Sequence, residues 1–594
     1  MKELEYPFDS EYILKKKKSI RKEVLKQEGT FLRKKIAVLG GSTTSDIIKI
    51  LDLFLLNQGI QAEFYESEYA MYWEYAMFGN PELEEFQPDL IYIHTSNHNI
   101  PQYPQITSSR EEVDHMIQLT YQHFEAMWKK IEETYHCPII QNNFELPSYR
   151  LLGNKEASDY RGKVRFIQRL NEMFYQYADT HENIFIQDIQ YVSACYGLDK
   201  WADDFYWHMY KYALAVPAIP SLAYNLSNII KSIYGKNKKA FVLDLDNTLW
   251  GGIVGDDGVD QLEIGQETPN GQVFQAFQKY LKEYASIGVM LNVNSKNEYE
   301  NAIAGLNHPE GILRPDDFIQ IKANWEPKSK NILDIAAELN IMSDSLVFVD
   351  DNPAEREIVR QLDKGIAVPD IATPDKYIQI LDRAGFFEVT NLSNDDIHRN
   401  EMYKSNRERE QLQTSFSNYA DYLKSLEMQG TIKAFENVYM ARIAQLTNKS
   451  NQFNLTTKRY SQSEIEQVAA DVAYIDIYGK LEDRFGDNGV VSVIIGHVME
   501  RVCHIDLWIM SCRVLKRDME CAMFDALVER CRQEEVQELR GYYYPTAKNK
   551  MVKDFYQERG FEKIEEDTEG NTIWRYIITD TYEKQNKVIK VVSE

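Results

Sequence analysis

Residues 241–248 read Phe241-Val242-Leu243-Asp244-Leu245-Asp246-Asn247-Thr248, an apolar run that ends in two carboxylates two residues apart and then a hydroxyl. Such a run is a buried strand, and in open α/β sheets ligands collect beyond the carboxyl ends of the strands. A carboxylate placed there can attack phosphorus, and a second one just beyond it can protonate the leaving oxygen and later activate water. Phosphoryl transfer also needs its charge neutralised, and three further elements follow in suitable order. Ser295 ends the run at 289–294, Lys328 opens a helical stretch after Trp325-Glu326-Pro327, and Asp350-Asp351 ends the run at 345–349. A lone Asp-x-Asp-x-Thr is also what turns and helix caps look like. Four elements in this order, each behind a strand or at a helix start, point to phosphoryl chemistry.

A chain of 594 residues is too long for one hydrophobic core. From residue 35 to about 187, short β-rich runs at 36–39, 90–94, 138–141 and 184–187 alternate with helical stretches such as 111–133, the order of a mostly parallel sheet with helices on its faces. A second such set starts at Phe241, with helical segments at 272–284 and 329–339. The stretch 394–426 is dense in charge and suits an exposed connecting helix. Beyond it, runs at 490–495 and 504–510 follow the Asp487-Asn488-Gly489 turn as neighbouring strands, then come a helix at 518–531, a strand at 539–543 and a helix at 548–558. The expected fold class is α/β and multidomain, with domains at 1–236, 237–390 and 429–594 and a charged helical connector at 391–428.

Composition excludes several partners. The net charge of −25 is the wrong sign for a nucleic-acid binder. No run approaches the roughly 20 apolar residues of a membrane span. The leading 29 residues carry Lys15-Lys16-Lys17-Lys18 without an apolar stretch behind it, so they read as a solvated helix face and not as a secretory signal. Six cysteines without paired metal-ligand spacing read as free thiols in a reducing compartment, and the expected location is cytoplasmic.

The central region resembles the haloacid dehalogenase superfamily. That resemblance implies a Rossmann-like domain in which Asp244 is the nucleophile, Asp246 the general acid and base, Thr248 and Ser295 bind phosphate oxygens, and Lys328 steadies the nucleophile and the transferred group. It further implies Mg2+ held by the Asp244 carboxylate, the Asp246 backbone carbonyl and Asp351, with Asp350 behind. Between Asp246 and the helix at Gln272 there is only a Gly-rich segment, residues 250–258, long enough for a β-hairpin flap and too short for a cap domain. An uncapped site suits a macromolecule-borne substrate, or closure by flanking domains.

Longer strings at 244–252, 324–329, 349–356, 447–454, 483–489 and 510–515, among them Asp350-Asp351-Asn352-Pro353-Ala354-Glu355-Arg356 and Met510-Ser511-Cys512-Arg513, resemble the FkbH-like family. The resemblance implies a phosphatase and acyltransferase that takes a glyceryl unit from 1,3-bisphosphoglycerate and delivers it as a thioester to an acyl carrier protein. Cys512 is then the candidate acyl-holding thiol. The C-terminal region resembles GNAT acyltransferases, an α+β fold, through Asn549, Phe555, Tyr556, Gly560 and Phe561. Its segment before the central helix reads Arg513-Val514-Leu515-Lys516-Arg517-Asp518 where a Gly-rich phosphate cradle is usual. Lys516, Arg517 and Asn549 are the candidate cofactor-binding residues, for phosphopantetheine or coenzyme A.

Gly40-Gly41-Ser42-Thr43-Thr44 resembles the nucleophile block of SGNH hydrolases, with Asn97 and Asn143 as oxyanion residues and Asp204 and His208 as acid and base. Three residues separate Asp204 from His208 where that family has two, so a degenerate hydrolase fold used for docking is expected. Two other readings stay open: a phosphatase joined to an acyltransferase acting on a sugar or cell-surface precursor, and a non-catalytic scaffold.

Overall fold

The computed structural model describes residues 1–26, 31–450, 452–546 and 548–592. Residues 27–29 of the lysine-bearing leader and Asn451 of the 447–454 string lie outside the described residues. The chain divides into two compact units, Met1–Tyr234 with Ser461–Glu464, and Gly235–Tyr460 with Ile465–Glu594. No helix among the described residues is long and apolar enough to cross a membrane.

The first unit is built on five parallel strands, β1 (Leu32–Gly40), β2 (Ile60–Glu66), β3 (Leu90–His94), β4 (Ile139–Asn142) and β5 (Ile184–Gln187), in the order β2-β1-β3-β4-β5. Strand periodicity splits β1 between two cores. Ile36 and Val38 pack with the helices Ser45–Asn57 and Ile219–Ile233, whereas Ala37 and Leu39 pack with Arg110–Tyr135 and Lys163–Thr180. β2 is the strand that sequence reading passes over, because Ile60–Glu66 carries Gln61, Glu63 and Glu66 on an edge. The lysine cluster lies in the helix Ser10–Val24, where Lys17 pairs with Asp46 at 3.0 Å.

The second unit carries two sheets. Four parallel strands, β6 (Ala240–Leu243), β7 (Met290–Ser295), β8 (Gln320–Ala323) and β9 (Leu346–Val349), run in the order β8-β7-β6-β9. Their faces are covered by Pro269–Ser286, Lys328–Glu338 and Pro353–Leu362 among other helices. The other sheet has nine strands: β10 (Gln429–Lys433), β11 (Phe453–Asn454), β12 (Tyr474–Asp483), β13 (Gly486–Met499), β14 (Val502–Met510), β15 (Glu538–Tyr543), β16 (Glu562–Glu566), β17 (Thr572–Ile577) and β18 (Lys590–Val592). Its order is β16-β17-β15-β14-β13-β12-β10-β18, with β11 added onto β14.

β14 and β15 run parallel and pair only from Val502 to Ile505 with Glu538 to Gly541. Past that point β11 enters, Phe453 opposite Met510 and Asn454 opposite Ile509, and the Tyr544 amide donates to the Leu455 carbonyl at 2.9 Å. The gap where the two strands diverge is thus bridged by the chain itself.

Three expectations differ from the structure. The stretch 394–426 is not an exposed connector: it breaks into Asn394–Ile397, Arg399–Gln413 and Tyr419–Ser425 and buries Asp396, Tyr403, Arg409 and Leu426. Burial is tolerated because the charges are paired, Arg409 with Asp483 at 2.6 Å. The expected helix at 548–558 is a turn at Lys550–Val552 and one helical turn at Phe555–Glu558. The segment after Asp246 makes isolated bridges, Asp246–Trp250 and Gly251–Glu263, around a helical turn, Val254–Asp257, and no hairpin.

Candidate active site

Every element of the central motif arrives at the carboxyl ends of β6 to β9. Asp244 directly follows β6, Ser295 is the last residue of β7, Lys328 opens the helix after β8, and Asp350-Asp351 follows β9. The Lys328 Nζ stands 2.9 Å from Asp244 Oδ2 and 2.6 Å from Asp350 Oδ2, with its side chain 4% exposed. Burial works against this ammonium, but Asp244 and Asp350 outweigh it and its basicity is raised. Oxygens of Asp244, Asp350 and Asp351 all lie within 4.8 Å of one another. Three carboxylates thus face one ammonium. Burial, and then the neighbouring Asp244 charge, raises Asp350 and Asp351 above the usual carboxylate range, the mark of negative charge in excess. A hard divalent cation with oxygen preference fits this donor set.

Asp246 accepts three hydrogen bonds, from Trp250 Nε1 at 2.9 Å, the Val254 amide at 3.0 Å and Asn297 Nδ2 at 3.0 Å. Its carboxyl is raised nonetheless, first by burial and then by Asp244, among other influences. Thr248 is fully buried and its Oγ1 accepts from the Asp351 amide at 3.2 Å, tying the first motif to the last. Asn247 supplies the bend between them at φ +55°, a conformation asparagine tolerates better than most residues. Arg356 donates to the carbonyls of Asp350 at 2.7 Å and Asp351 at 2.8 Å. Sequence reading gave no role to Trp250, Asn297 or Arg356. Two of them lay inside the quoted strings, but what they hold is visible only after folding.

The remaining candidates do not join this centre. Cys512 sits on the one-turn helix Cys512–Val514, its Sγ 3.9 Å from the Tyr403 hydroxyl and its carbonyl accepting from Asn340 Nδ2 at 2.9 Å. It lines a cleft with Lys239 and Ser345, which lie just before β6 and β9. Lys239 and Asp244 therefore flank opposite ends of β6, roughly 16 Å apart at about 3.3 Å per residue. Arg517 is buried and donates to Asn406 Oδ1 at 2.6 Å and to Asp483 Oδ2 at 3.3 Å. Asn549 is buried, its amide donating to the carbonyls of Asn454 and Tyr544 at 2.9 Å each. Both side chains are thus engaged inside the fold. Lys516 is exposed, in the left-handed region at φ +65°.

In the first unit, Ser42 is buried and its Oγ has no hydrogen-bond partner among the described residues. Asp204 and His208 are exposed on the helix Asp204–Tyr210. Asn97 Nδ2 donates to the Leu146 carbonyl at 3.4 Å, and Asn143 Nδ2 to Tyr175 and Asp188 at 2.7 Å each. No hydrogen bond among the described residues links Ser42 to His208.

Residues 35–231 match the family model described as the FkbH N-terminal domain. That stretch lies ahead of the strings that carried the FkbH-like resemblance. No curated protein matches the chain. Among solved structures, the N-terminal part of protein BF1531 from Bacteroides fragilis, which contains a phosphatase domain and is complexed with Mg, is 27% identical with a TM-score of 0.58, over 63% of this chain and 99% of that one. The ribosomal-protein-S18-alanine N-acetyltransferase from Escherichia coli is 14% identical with a TM-score of 0.21, over 27% of this chain and 100% of that one. An N-acetyltransferase from Thermoplasma acidophilum, in complex with coenzyme A, is 12% identical with a TM-score of 0.20, over 25% and 99%. The FkbH-like resemblance is met by the match of residues 35–231 to the FkbH N-terminal domain model and by the similarity to a Bacteroides fragilis protein that contains a phosphatase domain.

Proposed function

We propose that this chain is a cytoplasmic, magnesium-dependent phosphatase and acyltransferase of the FkbH type. It dephosphorylates a phosphoglyceryl donor like 1,3-bisphosphoglycerate and passes the acyl unit to the thiol of an acyl carrier protein. The observation that carries this reading is the buried cluster of Asp244, Asp350 and Asp351 around the Lys328 ammonium. Asp244 attacks phosphorus in line, the bond from phosphorus to the leaving oxygen breaks, and Asp246 gives that oxygen its proton. Water then attacks the aspartyl-phosphate, Asp246 takes a proton, and phosphate leaves. Thr248 and Ser295 bind phosphoryl oxygens while Lys328 steadies them. Asp244, Asp351 and the Asp246 carbonyl would hold magnesium, which would supply charge neutralisation, and the Mg in the Bacteroides fragilis protein supports that choice.

For acyl transfer, the Cys512 thiol first yields its proton to solvent. The thiolate attacks the C1 carbonyl, the carbon–oxygen bond to phosphate breaks, and phosphate departs with the electron pair. The carrier thiol then displaces Cys512. Engagement of Arg517 and Asn549 inside the fold favours a phosphopantetheine arm over whole coenzyme A.

Incubation with 1,3-bisphosphoglycerate, magnesium and a phosphopantetheinylated carrier should yield a glyceryl thioester on the carrier, read by intact-protein mass spectrometry. Asp244→Asn should lose at least about a hundredfold in phosphate release, and Cys512→Ala should lose the enzyme-bound adduct. Near-normal release by Asp244→Asn, or an adduct surviving in Cys512→Ala, refutes the corresponding assignment.

A further inference from the structure

The cleft beside Cys512 has a charge balance opposite to that of the chain. It measures about 90 Å³ and is lined by Lys239, Arg399, Arg442, Lys449 and Arg513. Two carboxylates serve four of these cations: Asp395 takes Arg442 at 3.0 Å and Arg513 at 3.4 Å, and Asp396 takes Lys449 at 3.1 Å and also Arg399. The third carboxylate, Asp344, is paired with Lys548. Lys239 Nζ has no hydrogen bond or ion pair among the described residues, and its electrostatic neighbours are Cys512, Arg399, Asp344 and Lys548. The Arg513 and Arg442 side chains are only 7% and 13% exposed.

Positive charge in excess and out of water is unfavourable unless an anion joins it. The strain is visible in the lysines. Burial first, and then Arg399, pushes Lys449 down to about 7, and burial lowers Lys239. In a chain of net charge −25, a pocket of this sign is not a by-product of composition. By the same measure one water needs about 10–15 Å³, so the cleft has room for a phosphate-sized group and not for a nucleotide. Guanidinium forks and ammonium groups together are the usual partners of phosphate oxygens. The cleft lies at the opposite end of β6 from Asp244, so this is not the phosphate position of the central site.

We infer that this cleft is a receptor for the dianion of a phosphate monoester or acyl phosphate, and that it holds the phosphorylated end of the acyl donor beside Cys512. The identity of the donor rests on the proposed function; anion binding itself does not. The same dianion could be presented by a phosphopantetheine arm, and the test separates the two.

Cys512 is the reporter, alkylated by iodoacetamide and quantified by peptide mass spectrometry, with exposed Cys195 as the control in the same molecule. Inorganic phosphate, 3-phosphoglycerate and 4′-phosphopantetheine are compared with chloride at equal ionic strength. At ten times its Kd a bound probe should slow Cys512 alkylation about tenfold and leave Cys195 unchanged. Protection by phosphate and 3-phosphoglycerate, lost in Lys449→Gln and restored in Lys449→Arg, is the expected result. Protection by none of the probes, or protection undiminished in a folded Lys449→Gln, overturns the site. Protection by 4′-phosphopantetheine alone overturns the donor assignment. Running all arms in Asp244→Asn keeps the outcome separate from failure of the phosphatase reading, which is scored by phosphate release.

Discussion

Some buried carboxylates among the described residues have a cation beside them and others do not. Asp244 and Asp350 share the Lys328 ammonium. Glu145, 2% exposed in the first unit, accepts from the Asn97 amide at 3.3 Å and has no paired cation among the described residues, and burial pushes it up to about 7. A carboxyl whose folded pKa lies above its unfolded value is most favourable below the unfolded value, near 4.5, and its contribution is lost as pH rises toward 7. Glu145→Gln keeps the shape and removes the titration. The variant should match the parent at pH 4.5 and exceed its stability at pH 8 by about 3 kcal/mol. Denaturant unfolding of the first unit at the two pH values measures this, and equal differences at both would refute it. The two cases were not equally legible. Asp244, Asp246, Lys328 and Asp350 could be named because each stands beside its own strand end or helix start in sequence. Glu145, Asn297 and the anion cleft draw on residues far apart in the chain, which no local pattern joins.

Among the elements, the parallel strands with apolar cores were readable to within a residue or two, as β3 and β4 illustrate, because both faces are buried. The strand β2 and the two-residue β11 were not, one for its edge polarity and the other for its length. The charged stretch 394–426 misled for a different reason: its composition is that of a solvated helix, yet Arg409 and Arg517 converge on a fully buried Asp483. That carboxylate ties the helix Arg399–Gln413 and the segment before Met519–Gln533 to the end of β12. Removing it leaves two buried guanidinium groups without their counter-ion. Asp483→Ala should therefore cost about 3–5 kcal/mol, whereas Lys516→Ala, on an exposed side chain next to Arg517, should stay within about 0.5 kcal/mol. Urea unfolding followed by tryptophan fluorescence compares them, and a loss under 1 kcal/mol for Asp483→Ala would show that water reaches this network.

At the scale of the whole molecule the question is which unit carries the chemistry. The second unit places phosphoryl and thiol candidates at the two ends of β6, so on the proposed function the two reactions need not share a pocket and the donor or carrier would move between them. The first unit offers Ser42 at the carboxyl end of β1, the position a hydrolase nucleophile takes. A serine needs a base within hydrogen-bond reach to become a nucleophile, but Ser42 Oγ is buried without a partner among the described residues and His208 is exposed on its own short helix. Its supposed oxyanion residues are occupied too, with Asn143 spending its amide on Tyr175 and Asp188. Ser42→Ala removes one buried hydroxyl that makes no hydrogen bond among the described residues, so it should neither unfold the unit nor touch the phosphoryl site. Magnesium-dependent phosphate release by Ser42→Ala is expected within about twofold of the parent, since a lost catalytic group would take about a hundredfold or more. A tenfold or larger fall in a variant that keeps the parent's circular dichroism and melting temperature would place Ser42 in the reaction and make the first unit a catalytic partner.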